Sequence, residues 1–479
     1  MGATVGDGAV AAERLADGVS LREAFDTGDP AAWTALDAGA RAISWDLDVI
    51  VSLPAWENTV GGRALIDTLR GGGPLGEEQV ALALCHRDGR IRQAALGRAV
   101  EFPGLLPLLV VRCSDWVAPV REIARRRLAE TLDAEAAVRV TPLVVAIGRR
   151  DRSDFVTGLV TGLLRAAPPE TLAPLYTDPR RRVRRFAYRL AVEERFLSPA
   201  ELARAAARDT DTVVQSLCAD SALAAVPDGA DDDVLEPLLA ARGPLARAAG
   251  VTALRRAGRP ERGARFLGDR SGIVRACARY VVRQGGIDPL PWYRERCADG
   301  RDDLSPGVVI GLAECGERPD AELLWPLLDH PAAGVRSRAV AGLRVLDRVD
   351  VRRLRALLDD PAPGVVRETT AALLPYADQL SAEALMTRLA VERPRAVRVA
   401  AFRLLQAHDG LVALRAAVAL VDDPDDRLRG RARRSAQRWS PTADVPRGTA
   451  EVGELLYRAR DLFSEDGLKW RLWEAGVKA

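Results

Sequence analysis

Lysine is nearly absent from this 479-residue chain: Lys469 and Lys478 are the only two, so arginine supplies the other 67 of its 69 basic residues. The codon bias of a GC-rich genome, which also favours Ala, Gly and Pro, accounts for such a skew. Selection for guanidinium contacts is the alternative, and it would show as arginines in fixed positions. Histidine is scarce too. His86, His330 and His408 lie far apart, and no H-E-x-x-H motif or Cys/His cluster has metal-ligand spacing. His330 stands in an Asp-His-Pro sequence and reads as a turn residue. None of the six cysteines forms a C-x-x-C pair, which excludes zinc-ribbon and thioredoxin-like signatures. Cys218 and Cys277 fall on helix faces expected to be buried.

Long apolar runs are missing as well: no stretch approaches the roughly 18 residues of a membrane span, and no signal-peptide pattern opens the chain. A soluble, reduced, cytoplasmic protein without a membrane partner is expected. Catalytic motifs are equally thin. No Walker A loop and no G-x-S-x-G elbow occur, and the G-x-G-x-x-A match at Gly6–Ala11 has no buried strand before it. The carboxylate clusters Asp231-Asp232-Asp233 and Asp422-Asp423 fall in expected loops, where solvated groups are the ordinary outcome. No catalytic residue, cofactor or metal site is expected, and the chain reads as a non-enzyme.

What is present points to helices. Ala, Leu, Val and Arg dominate, aromatics make up only 5%, and Ala and Leu suit close packing between helices. Basic and acidic residues nearly cancel, 69 against 67, which argues against a surface built throughout for nucleic acid or anionic lipid. A chain this long exceeds what one compact core accommodates, so several domains or a repeat array are expected.

Aligning the chain on itself reveals the array. The stretches 327–346, 357–376 and 420–439 read almost alike: an apolar helix end, an Asp-Pro or Asp-His-Pro break, then an arginine opening a second helix. Arg336, Arg367, Arg398 and Arg429 mark successive units at intervals of 31. Towards the N-terminus the register continues more loosely through Arg92, Arg121, Thr157, Arg184, Gln215, Arg247, Arg275 and Ile310. Within 335–346, Val335, Ala339, Leu343 and Leu346 recur at helical spacing and should face neighbouring helices. Ser337, Arg338, Ala341 and Arg344 should meet solvent. Proline after aspartate stops the preceding helix, since it lacks an amide donor and disfavours helical geometry before it. A lone helix pair cannot bury both apolar faces, so each unit needs its neighbours.

An Asp stands six residues before the marker in Asp115/Arg121, Asp178/Arg184, Asp269/Arg275 and Asp423/Arg429, and Asp209 keeps that spacing before Gln215. Over residues 78–440 this pattern resembles the HEAT-repeat family, in particular the short bacterial repeats of the phycobilisome-lyase-like kind. The resemblance implies an all-α superhelix, an α-solenoid of about 12 helix pairs. It also implies that these Asp and Arg positions form a structural ladder between successive repeats, and that Arg336, Arg367 and Arg398 belong to it.

The ends depart from the pattern. Residues 1–77 are acidic and hold Trp33, Trp45 and Trp56; they are expected to form a divergent helical cap, or a small module with its own binding role. In 441–479, Thr449 should cap a helix running to about Phe463, with Val452, Leu455, Leu456, Ala459 and Leu462 on its inner stripe. Trp470, Leu472 and Trp473 should then seal the last repeat, or serve as a docking peptide.

One charged feature stands out. Arg181, Arg182, Arg185 and Arg189 should share the exposed side of one helix, and a second concentration includes Arg431, Arg433, Arg434 and Arg438. These are the candidate binding residues, foremost Arg434 and Arg438 in the second group. They form either a solvated face or a site for an acidic protein segment or a phosphate backbone. A protein scaffold is the favoured reading and a nucleic-acid-binding solenoid the alternative.

Overall fold

The computed structural model describes residues 3–42, 54–71, 73–148, 151–226, 231–300 and 303–477; Trp45 and Lys478 lie outside them. Among the described residues all regular structure is helical. The chain is an all-α array of helix pairs, an α-solenoid, and it divides into two compact units.

The first unit covers residues 1–227 and 241–246. It opens with α1 (Val5–Ala16) and α2 (Pro30–Gly39), which pack closely on each other. Gly8 and Gly39 allow this, since a Cβ at either would run into the backbone of the opposite helix. Three pairs follow: α3 (Glu77–Cys85) with α4 (Gly89–Ala99), α5 (Leu106–Arg112) with α6 (Ala118–Thr131), and α7 (Ala134–Ile147) with α8 (Asp154–Ala166). First helices stack in the order α3, α5, α7 and second helices in the order α4, α6, α8. This like-on-like stacking defines the solenoid. Beyond them, α9 (Arg181–Glu193), α10 (Pro199–Arg208) and α11 (Thr212–Ala224) continue the pattern, with α9 against α11. One hydrophobic core runs from Ala11 through Leu190, with Trp33 and Trp56 buried in it. Helix α2 lies against α3, α5 and α7, so the acidic N-terminal segment packs directly on the repeats.

The second unit covers residues 228–240 and 247–479. Its second helices are α12 (Gly272–Gln284), α13 (Pro306–Cys315), α14 (Ala333–Val345), α15 (Pro363–Leu373) and α16 (Arg395–Gln406), each touching the next. Some of their first partners shorten to 3-10 segments such as Pro326–Asp329 and Arg355–Asp359, while the partner of α13 is the full helix Pro289–Asp299. The unit ends with α17 (Gly410–Ala419), α18 (Asp426–Arg438), α19 (Ala450–Arg458) and α20 (Glu465–Glu474).

Packing follows the expected stripe with one exception on α14. Val335, Ala339, Leu343 and Leu346 are buried, but so is Ala341, because a second helix is flanked on two sides by its neighbours. Cys218 is buried while Cys277 is half-buried, having a less enclosed position on α12.

The C-terminal helices differ from expectation in three ways. The Thr449 hydroxyl donates to Pro446 O at 2.6 Å and leaves the start of α19 uncapped by a side chain. That helix ends at Arg458, where Ala459 leaves helical geometry. The inner stripe is otherwise as expected, Val452, Leu455, Leu456 and Ala459 being buried with Leu462 packed beside them. On α20 only Leu472 is buried. Trp470 and Trp473 are exposed and lean on each other, ring centroids 5.0 Å apart, instead of sealing the stack. They sit one turn apart on the side opposite Leu472.

Candidate functional site

Eight intra-repeat turns are built by one side chain that accepts the backbone N–H two residues further on. Asp115, Asp178, Asp209, Asp269, Asp360 and Asp423 do so at 2.7–2.9 Å. His86 and His330 take the same place, each accepting through Nδ1, at 2.8 and 3.0 Å.

The marker arginine then reaches back six residues. Nη1 of Arg92, Arg121, Arg184, Arg275, Arg336 and Arg429 donates to the carbonyl of the turn residue in its own repeat at 2.7–2.9 Å. Gln215 does the same through Nε2 at 2.8 Å. The remaining edge of the guanidinium faces forward to the carboxylate of the next turn. Arg92 binds Asp115, Arg184 binds Asp209, Arg247 binds Asp269 and Arg336 binds Asp360, all through paired bonds of 2.7–3.0 Å; Arg398 binds Asp423. Asp115, Asp209, Asp269, Asp360 and Asp423 thus hold their own turns and take the preceding repeat's arginine, whereas Asp178 takes Arg180 from its own turn at 2.8 and 2.9 Å. Burial by itself would raise the carboxyls of Asp115, Asp269 and Asp360. The arginine hydrogen bonds, the arginine charge and the backbone N–H together outweigh it and hold all three below the usual carboxylate range.

Several ladder positions depart from expectation: Arg121 pairs with no carboxylate among the described residues, and Arg429 pairs with Asp426 in its own repeat. Arg367 is not a rung: its side chain is 71% exposed and reaches only the adjacent Glu368 at 3.5 Å. Six residues after Asp360 stands Val366, buried in the marker position. A displacement of one residue turns a side chain by about 100° around a helix, enough to move it from the inter-repeat seam to solvent. At Ile310 the marker is also apolar and buried, and Arg275 turns instead to Glu314. Asp423, expected in a solvated cluster, is buried in the ladder. Asp231 caps the helix Asp232–Leu239 through Asp233 N at 2.8 Å.

At the N-terminal end the ladder extends into a buried charge network that no sequence spacing announced. Arg112 donates to Asp115 at 2.7 Å and to Asp37 on α2, which in turn accepts from Arg41 at 2.6 Å. Trp116 covers the group, with the Arg92 and Arg41 guanidinium carbons 4.3 and 5.1 Å from its ring centroid. The one sequence signal was Asp37 itself, an acid within the apolar helix 30–39. Burial pushes the nearby Cys85 and Cys113 thiols up to about 12, so both stay protonated at neutral pH.

The basic patch is smaller than expected. Arg185 is half-buried and forms a paired ion bridge with Asp211, both bonds 2.8 Å, so it is not part of a free surface. Asp211 lies close because it begins the neighbouring α11, which packs on α9. Arg181, Arg182 and Arg189 are exposed and carry no ion pair among the described residues. On α18, Arg433 bonds to Val421 O at 2.9 Å, whereas Arg431, Arg434 and Arg438 are exposed and unpaired among the described residues. Those three, one turn apart, line a cleft of about 450 Å³ with Gln406, Asp409 and Thr442. Asp409 has φ +57° and ψ −167°, a conformation open to glycine and strained for other residues.

Among the described residues no three His, Cys, Asp or Glu side chains converge as metal ligands, and no helix is long and apolar enough to cross a membrane. The fold and ladder together define a helical-repeat protein. No known family model matches the chain, and no curated protein sequence does. Among solved structures, an engineered protein aligns with 76% of this chain and 98% of its own length, at 17% identity and a TM-score of 0.22. Kap121p aligns with 91% of this chain at 13% identity and a TM-score of 0.25, the chain matching 53% of its length.

Proposed function

We propose that this chain is a non-enzymatic, cytoplasmic scaffold of the HEAT-repeat type that binds another protein through the face formed by its second helices. In a superhelix of that type this is the concave face. Residues 78–440 act as the repeat array, with 1–77 and 441–479 closing its ends. One contrast carries the reading. Ladder arginines spend their donors inside the chain, while Arg181, Arg182, Arg189, Arg434 and Arg438 stand exposed without an ion pair among the described residues. Arginines held in fixed positions for the fold need no further explanation; unpaired ones on helix faces suit an acidic partner segment.

A tagged chain recovered from its native host should retain the same co-purifying protein with and without nuclease. Charge reversal at Arg181→Glu/Arg189→Glu should release it. Loss of all bound material on nuclease treatment, together with duplex binding that weakens steeply with salt, would assign the patch to nucleic acid instead.

A further inference from the structure

Three second helices of the first unit form a continuous outward face. A groove of about 630 Å³ runs between α4 and α6, with Arg90, Gln93 and Gly97 on one wall and Ile123 and Arg126 on the other. Arg90 and Arg126 are exposed and carry no ion pair among the described residues. Helix α8 continues the face, joined to α6 where the Arg125 guanidinium lies 5.0 Å from the Phe155 ring centroid. At its C-terminal end α8 is tied to α9 by Arg165, which donates to Glu194 at 2.7 Å. Ile123, Phe155, Leu159 and Leu163 are only partly buried and leave an apolar floor between the positive edges.

The helical glycines on this face differ from those that close packing requires. At Gly307 a Cβ would collide with the Gly268 carbonyl, and at Gly342 it would press on Leu324 at 2.8 Å, so internal packing requires them. At Gly97, Gly158 and Gly162 a Cβ would meet nothing within 4 Å. Glycine inside a helix is less favourable than alanine, and at these three the chain's own packing returns nothing for it.

We propose that the α4–α6–α8 face seats an acidic amphipathic helix of a partner protein. Its carboxylates lie on Arg90 and Arg126, its apolar side on Ile123, Phe155 and Leu159, and its backbone comes close where α8 is bare at Gly158 and Gly162. A nucleic acid suits the face less well. Glu122, Glu130 and Asp154 stand exposed among the arginines and would repel an unbroken row of phosphates, whereas a helix can turn a basic side chain towards them. The inference rests on the protein-binding reading and names the partner's chemistry.

A phage-displayed random peptide library selected on the immobilised full chain provides the probe. Enriched sequences should be acidic with apolar residues at helical spacing. Fluorescence anisotropy should show their synthetic forms losing about tenfold or more in affinity for Gly158→Leu/Gly162→Leu, and likewise for Arg90→Glu/Arg126→Glu. The glycine variant should melt no earlier than the parent chain, because the new Cβ atoms occupy open space on a helix. Acidic peptides that bind the glycine variant unchanged would overturn the proposed seat and leave the scaffold reading intact. Enrichment of non-acidic peptides, or of none, would overturn the partner's chemistry. Salt-sensitive duplex binding in place of peptide binding would remove both readings.

Discussion

Arg92 donates through Nε and Nη2 to the two carboxylate oxygens of Asp115, at 2.9 and 2.8 Å, and neither side chain is exposed to solvent. Twenty-three residues separate them, the distance from a marker arginine to the turn of the next repeat. The same carboxylate serves Arg112, which also binds Asp37, so Asp115 is the acid that Arg92 and Arg112 share.

Asp115→Ala therefore leaves Arg92 without a carboxylate in a dry site and leaves Arg112 with Asp37 alone. A loss of about 3–5 kcal/mol is expected, the usual cost of leaving a buried charge unpaired. Chemical denaturation checks it; a loss under about 1 kcal/mol would mean that water reaches the network on removal of the acid.

Arg336 and Arg367 look equivalent in sequence and should behave differently. Arg336→Ala removes two bonds to Asp360 and one to His330 O, and should cost about 1.5–3 kcal/mol. Arg367→Ala should stay within about 0.5 kcal/mol of the parent chain. Equal losses in parallel denaturation curves would place Arg367 back in the ladder.

His86 gives the first turn a pH dependence. Burial, reinforced by the charge of Arg87, pulls its imidazole down from 6.5 to about 4. Protonation is then easier in the unfolded chain, so the contribution is complete above pH 6.5 and is lost as the pH falls towards 4. Glu57, whose Oε1 lies 3.4 Å from the imidazole and whose carboxyl burial holds above its ordinary range, works in the opposite sense. His86→Asn keeps an acceptor for Asp88 N without a titrating ring. Between pH 6.5 and 4 the parent chain should lose stability faster than this variant, by at most about 1.4 kcal/mol per pH unit. Parallel pH profiles would exclude His86 as the source.

Asp409→Gly relieves a backbone conformation that only glycine adopts freely, and the residue makes no side-chain hydrogen bond among the described residues. Stability should rise by about 1 kcal/mol, strain relief being partly offset by the looser unfolded chain. Thermal unfolding reads the change; a lower midpoint would show that the carboxylate is needed in the Arg431–Arg434–Arg438 cleft.

The repeat was legible because Asp-Pro turns and apolar stripes are local. Spacing alone misled at Arg367, where constant intervals of 31 hid turn residues at 330, 360 and 392. Counting six residues from each turn, instead of from arginine to arginine, selects Val366. Arg247 was the reverse case: its local sequence is irregular, yet it holds Asp269 because the carboxylate of the next turn lies within reach. Arg185 could be placed on the right side of its helix from periodicity, but its pairing with Asp211 depends on a neighbouring helix. Trp470 and Trp473 were expected inside on hydrophobicity, which does not say that α20 turns only Leu472 inwards.

By itself the sequence determined the helices, the breaks between them and the need for each pair to lean on the next, since these follow from backbone preferences and the burial of one apolar stripe. Tertiary structure decided which arginines are consumed within the fold and which stay free. That division depends on the carboxylates that adjacent repeats bring within about 3 Å, a distance the order of residues along one helix does not contain.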